Sequence, residues 1–77
     1  MPLQDRNIIE YIDLHNCCES GRLFLNSTDY YYLKQTYPSS PIVAWLRQNN
    51  ENKNQVYCNI SFGIWRPYQE RFMAQIR

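Results

Sequence analysis

The stretch from residue 55 to residue 65 alternates strictly between two kinds of side chain, and this alternation constrains the fold more than any other feature of the chain. One parity is apolar and consists of Val56, Cys58, Ile60, Phe62 and Ile64. The other parity is mostly polar or aromatic and consists of Tyr57, Asn59, Ser61, Gly63 and Trp65. Successive side chains of a strand point to opposite faces of a sheet, so the stretch predicts a strand over about residues 55–65. Its apolar face is expected to point toward the core, and Tyr57 and Trp65 on the other face are expected to point outward.

An N-terminal helix is predicted over about residues 5–18. At 100° per residue its less polar side chains form one wide arc, made of Ile8, Ile9, Tyr11, Ile12, Leu14, His15 and Cys18. Gly21 is expected to end this helix, because glycine adopts the left-handed conformation of a helix C-terminal cap without strain.

A C-terminal helix is predicted over about residues 67–76. Pro67 suits the first turn of a helix, because its missing N–H group would have no partner there in any case. Tyr68, Phe72 and Ile76 then recur at a spacing of four residues, which places them on one side of that helix.

Two shorter segments complete the predicted order of elements. Residues 22–26 indicate a short strand, and Asn26 or Ser27 can cap a second helix that runs to about Thr36. The segment 41–49 leaves two alternatives open. A Ser-Pro pair at its start favours a helix, whereas its β-branched and aromatic residues and the following asparagine-rich turn favour a strand that forms a hairpin with residues 55–65.

These elements predict a small α+β fold, with residues 1–77 forming one domain. A two- or three-stranded antiparallel sheet would be covered on one face by the N-terminal and C-terminal helices. A chain of 77 residues buries only about 60% of the surface that its unfolded form exposes. The seven Tyr, three Phe and two Trp residues are expected to compensate, because each ring buries a large area.

Charge and targeting signals narrow the classes of partner. Eight basic residues balance seven acidic ones, so long-range attraction to nucleic acid or to an acidic membrane is expected to be weak. The first residues lack the apolar core of a signal peptide, and no apolar run approaches the length of a membrane span. We therefore expect a cytoplasmic protein that has no membrane partner.

The residue types that carry catalysis are few. The one cluster of catalytic residue types consists of Asp13, His15, Cys17 and Cys18. A thiol nucleophile needs a base within hydrogen-bond reach and a third group that orients the base, but a helix would point His15 away from both Asp13 and Cys17. Cys58 could join Cys17, Cys18 and His15 only as a zinc site in which two ligands are adjacent in sequence, an unfavourable arrangement. We therefore expect no enzyme activity, no bound metal and no cofactor.

Aromatic and arginine side chains are the candidates for binding, because such residues dominate interface hot spots. The candidate interface residues are Tyr57, Trp65, Arg66, Tyr68, Tyr30, Tyr31 and Tyr32. Three adjacent tyrosines cannot all point to one side of a helix, so at least one of Tyr30, Tyr31 and Tyr32 is expected to reach the surface.

The leading hypothesis is a non-catalytic protein-binding module that acts as a regulator, adaptor or inhibitor by covering a partner's surface. Small accessory proteins of phages and mobile elements work in this way, which is an analogy. The alternative is a single-stranded nucleic-acid binder, in which Tyr57 and Trp65 on an exposed sheet face stack bases. Its phosphate contacts would come from Arg22, Arg47, Lys53 and Arg66. A third alternative is a structural subunit of a homo-oligomer, such as a homodimer.

Overall fold

A computed structural model of the chain describes residues 3–17 and 20–75, and within these residues four helices pack with a two-stranded antiparallel sheet in an α+β arrangement. The elements are α1 (Leu3–His15), β1 (Arg22–Leu25), α2 (Ser27–Thr36), α3 (Pro41–Asn49), β2 (Cys58–Ser61) and α4 (Phe62–Gln75). The predicted α+β class is therefore confirmed. Of the two strand counts predicted, two and three, the structure shows two.

The sheet has one apolar face, as the alternating pattern predicted. In the antiparallel register Leu23 lies opposite Ile60 and Leu25 lies opposite Cys58. All four of these side chains are fully buried, whereas the residues between them are only half-buried. All four helices contribute to the core with these strands, through Ile8, Ile9, Ile12, Tyr30, Leu33, Ile42, Val43, Leu46, Trp65 and Tyr68.

The strand predicted over residues 55–65 is much shorter in the structure. β2 covers only Cys58–Ser61, and α4 begins at Phe62. The hydroxyl oxygen of Ser61 accepts a hydrogen bond from the backbone N–H of Gly63 at 3.1 Å, which satisfies one of the free amides at the start of the helix. The backbone therefore turns from strand to helix in the middle of the alternating pattern.

This early turn reverses the expected orientations of Ile64 and Trp65. Ile64 was predicted to face the core but is 46% exposed, and Val56, also predicted to face the core, is 57% exposed because it lies in the loop before β2 and not in the strand. Trp65 was predicted to lie outward on the sheet, but it is fully buried. On a helix, Trp65 shares one side with Tyr68 and Phe72, and this side packs on the core.

The predicted start of the C-terminal helix at Pro67 was wrong for a related reason. Pro67 lies inside α4, five residues after its first residue. It cannot donate a hydrogen bond to the carbonyl of Gly63, but Gly63 is exposed and water can satisfy that carbonyl. A proline is therefore tolerated here close to the first turn. Ile76 of the predicted helix lies outside the described residues.

The N-terminal helix ends earlier than predicted. α1 ends at His15 instead of Cys18, and Cys18 lies outside the described residues. Gly21 does have a left-handed backbone, with φ of 70°, and Ser20 before it has φ of 54°. These residues form the turn that leads into β1, so Gly21 does not cap α1 as predicted.

The two central helices begin at capping residues that the sequence contains. The side-chain oxygen of Asn26 accepts from the backbone N–H of Asp29 at 2.8 Å, which starts α2 where predicted. The hydroxyl of Ser40 accepts from the backbone N–H groups of Ile42 and Val43. Segment 41–49 is therefore a helix, and the hairpin alternative is excluded.

Candidate functional site

Three of the seven predicted interface residues lie in the core. Tyr30 and Trp65 are fully buried, and Tyr68 is 9% exposed. Tyr68 stacks on Trp45 with ring centroids 4.0 Å apart, and Trp65 lies 5.8 Å from Trp45, so these rings join α3 to α4. A partner cannot reach Tyr30 or Trp65 without unfolding the domain.

The other four predicted residues are exposed, and each contacts different neighbours. Arg66 lies over the ring of Phe62, with 4.6 Å between its guanidinium carbon and the ring centroid. Tyr57 contacts the ring of Phe24, and Tyr32 stacks on Tyr11. Tyr31 is the most exposed of the three tyrosines in this set, at 61%, and it lines a surface groove.

This groove lies between α2 and the loop that precedes β2, and its volume is about 420 Å³. Its lining consists of Ser27, Thr28, Tyr31 and Lys34 from α2, and Gln55 and Val56 from the loop. Tyr31 and Val56 are the two large apolar side chains of the groove, and both are more than half exposed. We refer to these six residues as the groove.

Lys34 connects the two walls of the groove. Its ammonium group donates a hydrogen bond to the backbone carbonyl of Gln55 at 3.0 Å and lies 4.3 Å from the centroid of the Tyr30 ring. Gln55 has a left-handed backbone, with φ of 56°, a conformation that costs free energy in a residue other than glycine. The Lys34 hydrogen bond helps to hold this conformation of Gln55 and therefore also the position of the next residue, Val56.

Asn50 anchors the other part of the same loop. Its side-chain amide is nearly buried and donates to the carbonyl of Tyr57 at 2.8 Å, while its oxygen accepts from the N–H of Asn59 at 2.9 Å. The backbone N–H of Glu51 also donates to the carbonyl of Asn59 at 3.0 Å. These bonds occupy the edge of β2 that β1 leaves open, in the manner of a third strand.

The sequence pattern missed Val56, Lys34 and Gln55 as site residues. Val56 was assigned to the buried face, because the strand was expected to include it. Lys34 and Gln55 are 21 positions apart, and the contact between them has no local signature. The asparagine-rich composition indicated a loop, but only the folded chain shows that this loop packs on α2.

A second polar cluster joins α1 to α2. The hydroxyl of Tyr11 donates to a carboxylate oxygen of Asp29 at 2.8 Å, and Nδ1 of His15 lies 3.4 Å from the same oxygen. His15 and Tyr32 both stack on the ring of Tyr11, at centroid distances of 4.0 Å and 4.8 Å. Burial, together with the hydrogen bond to Asp29, raises the pKa of Tyr11 to about 12. The cluster stabilises the packing of two helices, and the ring of His15 forms part of it.

The two thiol groups that the structure describes lie in different environments. Cys58 is fully buried in the core, and burial raises the pKa of its thiol to about 12, so the thiol stays protonated near neutral pH. Cys17 is exposed, and Cys18 lies outside the described residues. Across residues 3–17 and 20–75, no three Cys, His, Asp or Glu side chains are grouped to hold a metal ion.

None of the helices within the described residues has the length and apolar character needed to cross a bilayer.

Comparison with known proteins identifies no family and no relative of this chain. No protein-family model matches the chain, and searches of curated proteins and of solved structures found no match.

Proposed function

We propose that this protein is a small non-catalytic module that binds another protein through the groove between α2 and the loop before β2. One observation carries this proposal. Tyr31 and Val56 are 61% and 57% exposed, and they line the same groove although they belong to separate segments of the chain. Tyrosine is enriched in the fully desolvated centres of protein interfaces, and an apolar neighbour adds area that binding can remove from water.

The groove is built in a way that favours binding. Lys34 holds one end of the loop against α2, and Asn50 attaches the other end to β2. A surface that is already ordered loses less conformational entropy when a partner covers it, so more of the contact energy appears as affinity. The volume of about 420 Å³ also lies within the usual range for sites that accept a ligand or a few side chains.

The size of the effect can be estimated from the exposed apolar area. Complete burial of a side chain of this size contributes about 1.5–3 kcal/mol, and Tyr31 and Val56 still expose somewhat more than half of theirs. Covering both would contribute about 2–3 kcal/mol, which corresponds to about a 30- to 150-fold change in affinity.

In this proposal the protein acts in the cytoplasm as a regulator, adaptor or inhibitor that covers part of a partner's surface. The burial of Trp65 does not favour the nucleic-acid alternative, because the two-ring stacking surface expected from Tyr57 and Trp65 does not form. Arg22, which was expected to contact phosphate, instead pairs with Glu51 and donates to the side chain of Asn59.

The experiment is affinity capture from nuclease-treated lysate with three immobilised proteins. These are the wild type, a groove variant carrying Tyr31→Ser and Val56→Ser, and a control variant carrying Leu14→Ser and Ile64→Ser. The control removes apolar residues that are 82% and 46% exposed and lie outside the groove. We expect one protein to be retained near stoichiometrically by the wild type and the control, and lost by the groove variant.

Equal capture by all three proteins would refute the proposal. Light scattering on the same proteins tests the homodimer alternative. A wild-type dimer that the Tyr31→Ser, Val56→Ser variant converts to a monomer would mean that a second copy of this chain occupies the groove, in place of a separate partner.

A further inference from the structure

We infer that the groove accepts a peptide segment in which one carboxylate side chain lies between apolar side chains. This inference rests on the proposed function and specifies the chemistry of the partner at the same groove. It follows from three features of the groove: a positioned ammonium group, the absence of a carboxylate from the lining, and apolar side chains from both walls.

The ammonium group of Lys34 is positioned before any partner arrives. It donates to the carbonyl of Gln55 at 3.0 Å and lies 4.3 Å from the centroid of the Tyr30 ring, and the side chain is half-buried. An ammonium group has three N–H donors, so the bond to Gln55 leaves others for a ligand. Since the side chain is already held, a partner carboxylate would pair with it at a small cost in rotamer entropy.

No negative charge among the lining residues competes for this ammonium. The groove contains one charged side chain, Lys34, and no Asp or Glu. Two carboxylates near the same segments of the chain have other partners. Asp29 of α2 accepts from Tyr11 and lies beside His15, and Glu51 of the loop pairs with Arg22. A basic segment would be repelled by Lys34, whereas an acidic one would be attracted.

The rest of the lining determines what lies beside the carboxylate. Tyr31 and Val56 offer apolar surface, and the hydroxyl groups of Ser27 and Thr28 add hydrogen-bonding groups at the start of α2. A segment that matches this arrangement places an Asp or Glu at Lys34 and apolar residues against Tyr31 and Val56. A purely acidic segment would leave the apolar surface exposed, and a purely apolar one would desolvate the N–H donors of the ammonium that do not bond to Gln55, without providing an acceptor for them.

The first test selects ligands from random octapeptides displayed on phage. The wild-type protein selects binders, and the Tyr31→Ser, Val56→Ser variant is then used to discard every peptide that does not depend on the groove. We expect the remaining peptides to be enriched in Asp or Glu flanked by aliphatic or aromatic residues. Groove-dependent peptides without an acidic residue would overturn the inference and leave the proposed function standing. A selection that yields no groove-dependent peptide would also overturn it, and the lysate capture would decide the proposed function separately.

The second test measures the contribution of Lys34 with one selected peptide and its matched form, in which the acidic residue is replaced by its amide. Fluorescence anisotropy on the wild-type protein is expected to show about fivefold weaker binding of the amide form, since a charge-assisted hydrogen bond at a half-exposed site contributes about 1 kcal/mol. The affinity of the acidic peptide should also fall as salt concentration rises. Equal affinity of the two peptides would overturn the inference without any change to the protein.

Two variants at Lys34, tested with the same two peptides, complete a double-mutant cycle between this residue and the acidic residue of the peptide. Lys34→Met is expected to bind both peptides equally, and Lys34→Arg is expected to keep the preference for the acidic one, because it keeps the charge. An amide NMR spectrum checks that Val56 and its neighbours retain their positions in each variant. A preference for the acidic peptide that persists in a folded Lys34→Met protein would assign the recognition to another residue and overturn the inference.

Discussion

Asn50 is the side chain whose removal should damage the loop most, and we predict that Asn50→Ala lowers the free energy of unfolding by about 2–4 kcal/mol. The wild-type amide makes three hydrogen bonds. It donates to the carbonyl of Tyr57 at 2.8 Å and accepts from the N–H groups of Asn52 at 3.0 Å and Asn59 at 2.9 Å. Alanine is compatible with the backbone at this position, because φ is −66° and ψ is 127°. The effect therefore comes from the lost hydrogen bonds.

The magnitude follows from what happens to each partner. The Tyr57 carbonyl also accepts from the side chain of Asn52 at 3.2 Å, so it keeps one partner. The N–H groups of Asn52 and Asn59 lose the side-chain acceptor that pairs them, and each unpaired donor costs about 1–3 kcal/mol, less where water can enter. A domain of 77 residues has a total stability of about 4–12 kcal/mol, so the variant should lose a large part of it.

Urea denaturation followed by circular dichroism measures this loss, and the thermal midpoint should fall by about 10–25 °C. Hydrogen exchange gives a local readout, because the amide of Asn59 should lose more protection than amides in the centre of α3. The matched control is Asn54→Ala. Asn54 is exposed and only its backbone N–H takes part in a hydrogen bond of this loop, so this change should stay within about 0.5 kcal/mol.

A loss below about 1 kcal/mol for Asn50→Ala would refute this reasoning. It would mean that water or a rearranged loop satisfies the edge of β2 as well as the amide does. In that case the groove would not be ordered before binding, and the entropy argument for its affinity would also fail.

Four further predictions concern the core. Trp65→Ala should lower the free energy of unfolding by about 3–5 kcal/mol, as judged by urea denaturation, and a loss below about 1 kcal/mol would contradict its burial. Tyr30→Phe should change it by less than about 1 kcal/mol in the same assay, because the buried hydroxyl near Asn50 makes no hydrogen bond of good geometry; a larger loss would reveal one. Brief alkylation of the native protein, followed by peptide mass spectrometry, should modify Cys17 and leave Cys58 intact, and rapid modification of Cys58 would show that the core opens easily. Burial raises the pKa of Cys58 from 9.0 to about 12 and that of Tyr68 from 10.0 to about 12. The folded state thus favours the protonated groups, so these two groups should add no pH dependence below pH 9 and should lower the free energy of unfolding between pH 9 and 12; urea midpoints that do not fall over that range would contradict the burial of both.

Capping residues and short alternating patterns predicted those parts of the fold that depend on interactions between residues close together in the chain. Asn26 satisfies a free helix amide through its own side chain, so α2 begins at a residue that the sequence marks. Ser40 caps α3 by the same chemistry, but the β-branched and aromatic residues that follow it left the sequence open between a helix and a strand. Cys58 and Ile60 alternate with polar neighbours and do face the core. These features depend on a few adjacent residues, and they do not change with the rest of the fold.

The end of β2 could not be predicted in the same way. Over the few residues from Ile60 to Trp65, the apolar side chains fit both a strand and a helix, because the two periods differ little over so short a window. Packing of Trp65 and Tyr68 against Trp45 stabilises the helical alternative. The helical conformation of this segment also leaves Ile64 exposed.

The candidate site shows the same division. The sequence by itself determined the α+β class, the cap of α2, the inward orientation of Cys58 and Ile60 and the surplus of aromatic side chains. It also indicated that one of the three adjacent tyrosines reaches the surface. Only the tertiary structure decided that Tyr31 does so within a groove while Tyr30 is buried, and that Lys34 reaches the carbonyl of Gln55 beside an exposed Val56. The physical reason is that these outcomes depend on contacts between residues far apart in the chain, which leave no periodic pattern in the sequence.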